Sequence, residues 1–123
     1  MRAALAAAAW LDPLALAASA AHLGEAGAAL DWAASREWDE CVTTDGAALV
    51  YRAQAPRALR LRVIERIVAE LGHEGTPRGS EIARLDDALS AGRIATLGGV
   101  RAEAGGQGWR FAPAPPRKTR RPA

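Results

Sequence analysis

The sequence predicts an α+β protein, mainly helical, with a small central β-hairpin, a C-terminal β-hairpin and a disordered basic tail. Three observations carry that expectation. Apolar residues recur at steps of three and four through most of the chain. Strand-favouring residues then flank Asp45-Gly46, and a second turn signal, Gly105-Gly106-Gln107-Gly108, sits between two further apolar stretches.

Residues 2–11 read as a short alanine-rich helix. Asp12 and Pro13 end it and start another, with Asp12 as N-cap and Pro13 at the first helical position. Along this long second helix Leu16, Ala20, Leu23, Gly27, Leu30, Ala34 and Trp38 fall on one stripe. Gly24 and Gly27 each weaken a helix by about 1 kcal/mol relative to Ala, so close approach of another backbone is the expected reason for them. After Glu40 the period changes. Cys41–Thr44 and Ala47–Arg52 are the arms of a tight hairpin around Asp45-Gly46.

Gln54-Ala55-Pro56 is the best internal boundary. Pro56 opens a third helix and Gly72 closes it. Val63, Ile64, Ile67, Val68 and Leu71 make its apolar face, with Arg62 and Arg66 one turn apart opposite. The loop from His73 to Gly79 leads to a fourth helix at about Ser80–Ala91, buried through Ile82, Leu85 and Leu89 and stopped at Gly92. Arg93–Ala104 and Trp109–Ala112 then form the last hairpin, and from Pro113 Pro and Arg dominate. The expected division is a helical segment with its hairpin (1–55), a small α+β domain (56–112) and the tail (113–123).

Charge separates body from tail. The chain carries 16 Lys and Arg against 14 Asp and Glu, but Arg117, Lys118, Arg120 and Arg121 crowd the last seven residues. Without them the remainder counts 12 against 14, so the body is no basic nucleic-acid binder by charge alone. A lone cysteine, Cys41, excludes an internal disulfide and fits the cytoplasm. The N-terminal Ala/Leu run ending at Ala18-Ser19-Ala20 imitates a signal peptide, but Asp12-Pro13 interrupts it and no ~20-residue apolar span exists for a membrane.

Candidate chemistry is sparse. Cys41 has no recognisable base partner, and His22 and His73 have no metal-ligand spacing, so no catalytic, cofactor or metal residue is assigned. A phosphate loop needs a strand, a glycine turn and then a helix. Glycines 98, 99, 105, 106 and 108 are followed by strand, which makes them hairpin turns and bulges. Asp86-Asp87 and the Arg36–Glu40 stretch read as solvated faces, and at least three of Trp10, Trp32, Trp38 and Trp109 as core. Arg60 lies in line with Ile64, Ile67 and Leu71, which leaves snorkelling, a buried ion pair or a phosphate contact open.

The segment from Pro56 to Phe111, with Pro77-Arg78 between two helices and Thr96-Leu97-Gly98-Gly99 opening a terminal hairpin, resembles the C-terminal region of bacterial tRNA(Ile)-lysidine synthetases. The upstream helical run looks like the segment that follows the catalytic domain in alphaproteobacterial members. The resemblance implies a ligase that uses ATP and magnesium to join lysine to the wobble cytidine of a minor isoleucine tRNA. Its catalytic domain carries an SGGxDS phosphate loop, which this sequence lacks. The chain alone is therefore expected to be non-catalytic and to grip tRNA, with Arg60, Arg62, Arg66, Arg78, Arg93, Arg117, Lys118, Arg120 and Arg121 as candidate contacts and a separate catalytic N-terminal domain as partner. The alternatives are a free-standing nucleic-acid-binding module that relies on its tail, and a helical protein-interaction module.

Overall fold

A computed structural model of the chain describes residues 13–115. The expected helix at 2–11, the Asp12 cap, Trp10 and the four tail cations lie outside them. The order is α1 (Pro13–Cys41), β1 (Val42–Asp45), β2 (Ala48–Tyr51), α2 (Arg57–Leu71), α3 (Gly79–Ser90), β3 (Ala95–Leu97), β4 (Val100–Gly105) and β5 (Gly108–Pro113). This is the expected α+β class. The described residues form two compact units that part between Trp32 and Ala33.

In the first unit the stripe on α1 does not become a buried face: Leu23 is 70% exposed and Leu30 36% exposed. Among the described residues nothing lies within 4 Å of a Cβ built on Gly24 or Gly27. The expected backbone approach is not made among the described residues.

The second unit is built on a five-stranded antiparallel sheet of order β1-β2-β5-β4-β3. The pairing of β2 with β5 joins the central hairpin to the C-terminal strands across the Ala55/Pro56 junction. Residues directly opposite one another share a face. Leu49, Phe111, Ala102 and Ala95 therefore form one row across the sheet, and Tyr51, Trp109 and Ala104 another. Helices α2 and α3 pack on each other and on the sheet. They bury Val63, Ile64, Ile67, Ile82, Leu85 and Leu89 against Tyr51, Val100 and Phe111. Each such side chain contributes about 1.5–3 kcal/mol of burial. Trp38 and Trp109 pack at the edge of this core.

Two turns differ from expectation. Asp45 stays in the ladder opposite Ala48, so the first turn is Gly46-Ala47. Only Gly46 has positive φ, at 62°, the pattern of a II′ turn with glycine first and not of an Asp-Gly I′ turn. The arm expected to run from Arg93 to Ala104 is broken at Gly98-Gly99, with φ of 59° and 83°, which folds β3 back on β4 as a further hairpin.

Gly72, at φ −80°, needs no left-handed freedom; it is glycine because an added Cβ would sit 2.5 Å from the carbonyl oxygen of Gly98. That same oxygen accepts the His73 N–H at 3.1 Å. Pro77 flanks Gly98 and the His73 ring covers Gly99, so the Pro77-Arg78 loop and the Thr96–Gly99 turn meet.

Candidate nucleic-acid interface

The structure sorts the arginines by partner. Arg60 makes a bidentate pair with Asp86, Nε to Oδ1 at 2.8 Å and Nη2 to Oδ2 at 3.0 Å. Of the three readings open for Arg60, the ion pair is the one adopted. Donating these hydrogen bonds to Asp86 raises the guanidinium's pKa above its ordinary value, against the opposing effect of burial. Arg57 adds contacts to Asp86 at 3.4 Å and to Asp87 at 3.3 Å. Arg66 lies over the Trp38 ring, 4.0 Å from its centroid, and reaches Glu70 at 3.5 Å. Arg62, on the same helix, is half-buried.

Two carboxylates read as solvated are buried instead. Asp86 is 1% exposed and Glu37 8% exposed. Their helical phase holds the signal: Asp86 stands in line with Ile82 and Leu89, and Glu37 with Ala34 and Cys41. Glu37 accepts from the Cys41 thiol at 3.1 Å, the Tyr51 hydroxyl at 2.8 Å, and the backbone N–H groups of Gln54 at 3.1 Å and Ala55 at 2.8 Å. Burial alone would raise its pKa, but the four donors together hold it below the ordinary 4.5. Burial first, and Glu37 second, push the Cys41 thiol up to about 11, which removes it as a nucleophile.

Four guanidiniums are left. Among the described residues, Arg52, Arg78, Arg84 and Arg93 form no ion pair with a carboxylate. Arg84 and Arg93 share one groove of about 580 Å³ between α3 and the edge strand β3, floored by Leu85, Ala88 and Leu97. Ile94, 57% exposed, stands at its rim. The groove's two acids are committed elsewhere: Glu81 accepts the Arg78 N–H at 3.0 Å, capping α3, and Asp87 pairs with Arg57. Of the two acids, Asp87 is offset by Arg57 while Glu81 keeps its charge, so the groove presents two unpaired guanidiniums beside one carboxylate. Arg78 stands at the N-terminal end of α3 on the same helical stripe as Glu81 and Leu85.

The candidates thus do not form a single patch. Arg78 and Arg93 flank α3 at its two ends, Arg62 and Arg66 lie on α2, and Arg60 is paired inward. Arg84 was missed because one exposed helical arginine looks like any other until the fold sets it opposite Arg93. The turns at Gly98-Gly99 and Gly105–Gly108 lead into strands, and the described residues contain no cluster of three His, Cys, Asp or Glu. No helix among them is long and apolar enough to cross a membrane.

A comparison with known proteins bears on this geometry. The chain is similar to a tRNA(Ile)-lysidine synthase. That protein, from Novosphingobium aromaticivorans, is 46% identical over 115 residues, which cover 91% of this chain. The chain spans 35% of that relative's length. No family model and no solved structure matches.

Proposed function

We propose that this chain is the tRNA-gripping C-terminal part of a tRNA(Ile)-lysidine synthase and that it works in the cytoplasm. The observation that carries the proposal is its 46% identity to the synthase over 91% of the chain. On this reading lysine is joined to the wobble cytidine of a minor isoleucine tRNA, with ATP and magnesium used in another part of the enzyme. The role of these residues is to hold the tRNA. Arg78, Arg84 and Arg93 suit phosphate, because a planar guanidinium without a carboxylate partner is free to form the bidentate pair. Phosphate contacts orient without reading sequence. Arg62, Arg66 and the tail cations Arg117, Lys118, Arg120 and Arg121 add attraction along the backbone, and Arg60 supports α2 from within.

The test is tRNA binding measured by anisotropy at several salt concentrations, for the natural chain and for Arg84→Ala/Arg93→Ala. The double variant should bind tRNA at least about tenfold more weakly. The slope of log affinity against log salt should fall by about 1.4–1.8, as each of the two lost phosphate contacts removes roughly 0.7–0.9. Unchanged affinity and slope would refute the groove as the interface. Absence of any tRNA binding, with a stable protein complex formed instead, would favour a protein-interaction module.

A further inference from the structure

A second cleft lies at the end of β4 remote from the Gly98-Gly99 turn. It holds about 340 Å³ between Arg52 and Gln54 on the segment leaving β2, Gln107 and Gly108 of the β4–β5 turn, and Trp109. No carboxylate lines it. Arg52 is exposed and forms no ion pair with a carboxylate among the described residues. Gln54 and Gln107 each bring a donor and an acceptor, and Trp109 brings a half-buried ring.

The walls are held from behind. Glu37 fixes the Gln54 and Ala55 N–H groups at 3.1 and 2.8 Å. Gly108, at φ 122°, lets the turn abut β2, since an added Cβ would lie 2.8 Å from the Tyr51 carbonyl oxygen. The Tyr51 ring meets Trp109 edge-on, with centroids 6.3 Å apart, and the Arg60 guanidinium lies 6.0 Å from the Trp109 ring. A ring, two carboxamides, one free cation and no acid match a planar heterocycle with an amide-like edge and an attached phosphate.

We propose that this cleft takes one unpaired nucleotide of an RNA strand, its base against Trp109, its edge read by Gln54 and Gln107, and its phosphate on Arg52. The proposal rests on the tRNA-gripping role for the choice of RNA, and the two are tested separately. The probe is a labelled, unstructured ribo-oligonucleotide of about six nucleotides, with a blunt RNA duplex as control. Arg52→Ala/Gln107→Ala changes two exposed positions, so folding is preserved and checked by thermal melting. It should weaken oligonucleotide binding about tenfold or more while leaving duplex binding unchanged.

Oligonucleotide binding should also quench tryptophan fluorescence in the natural chain and do so much less in Trp109→Phe. Failure of the natural chain to bind the oligonucleotide, or equal binding by the double variant, overturns the pocket. If Arg84→Ala/Arg93→Ala still weakens tRNA binding, the groove stands without the pocket; if neither pair of substitutions matters, both fall.

Discussion

Glu37 shows how one side chain fixes the junction between a helix and the sheet. It gathers a thiol, a phenol and two backbone donors from three segments. A carboxylate held this way has a folded pKa below its unfolded one. Its contribution is therefore complete above the unfolded value, near 4.5, and is lost as pH falls below that toward the folded value. Thermal melts across pH about 3 to 6 should show stability falling on acidification, and Glu37→Gln should flatten part of that dependence while costing stability at neutral pH. Equal pH dependence in both proteins would remove Glu37 from the account. Asp86 ties α2 to α3 through its two bonds from Arg60, and its deletion would leave Arg60 uncompensated.

At the scale of elements, the glycines separate into those the fold requires and those it tolerates. Gly99 has φ 83°, and an added Cβ would lie 2.5 Å from the His73 ring. Gly99→Ala should cost about 2 kcal/mol or more, lowering Tm by roughly 8 °C or more. Gly27 has ordinary helical backbone with open space around it. Gly27→Ala should instead strengthen α1 by about 1 kcal/mol, read as slower amide exchange in that helix. A stabilising Gly99→Ala, or a destabilising Gly27→Ala, would contradict this sorting. The Thr96–Gly99 turn and the Pro77-Arg78 loop are one packed corner, with a structural role apart from any ligand.

For the whole molecule, electrostatics depends on arrangement more than on net charge. The residues before Arg117 count slightly more acids than bases, which by itself disfavours nucleic acid. Folding changes the balance locally, because it pairs Asp86 and Asp87 with Arg60 and Arg57 and leaves Arg78, Arg84 and Arg93 without an ion pair. A chain ended after Pro115 loses four cations. It should bind tRNA more weakly with a salt slope lower by roughly 3, yet still prefer tRNA to a plain duplex of equal charge. Loss of all binding would assign the interaction to the tail.

The α+β class, the places of the first and last hairpins and the apolar faces of α2 and α3 were legible in the sequence, because glycine position and residue period are local properties. The exact first turn and the extra β3–β4 hairpin were not. The similarity to the synthase was legible too, since the order of short motifs survives without coordinates. What only the tertiary structure decided is which charges meet. Arg60 is separated from Asp86, and Arg84 from Arg93, by stretches of chain that no periodicity spans. The union of two hairpins through β2 and β5 is likewise non-local. An arginine's role depends on whether a carboxylate lies within reach, and that distance is fixed only when the helices close over the sheet.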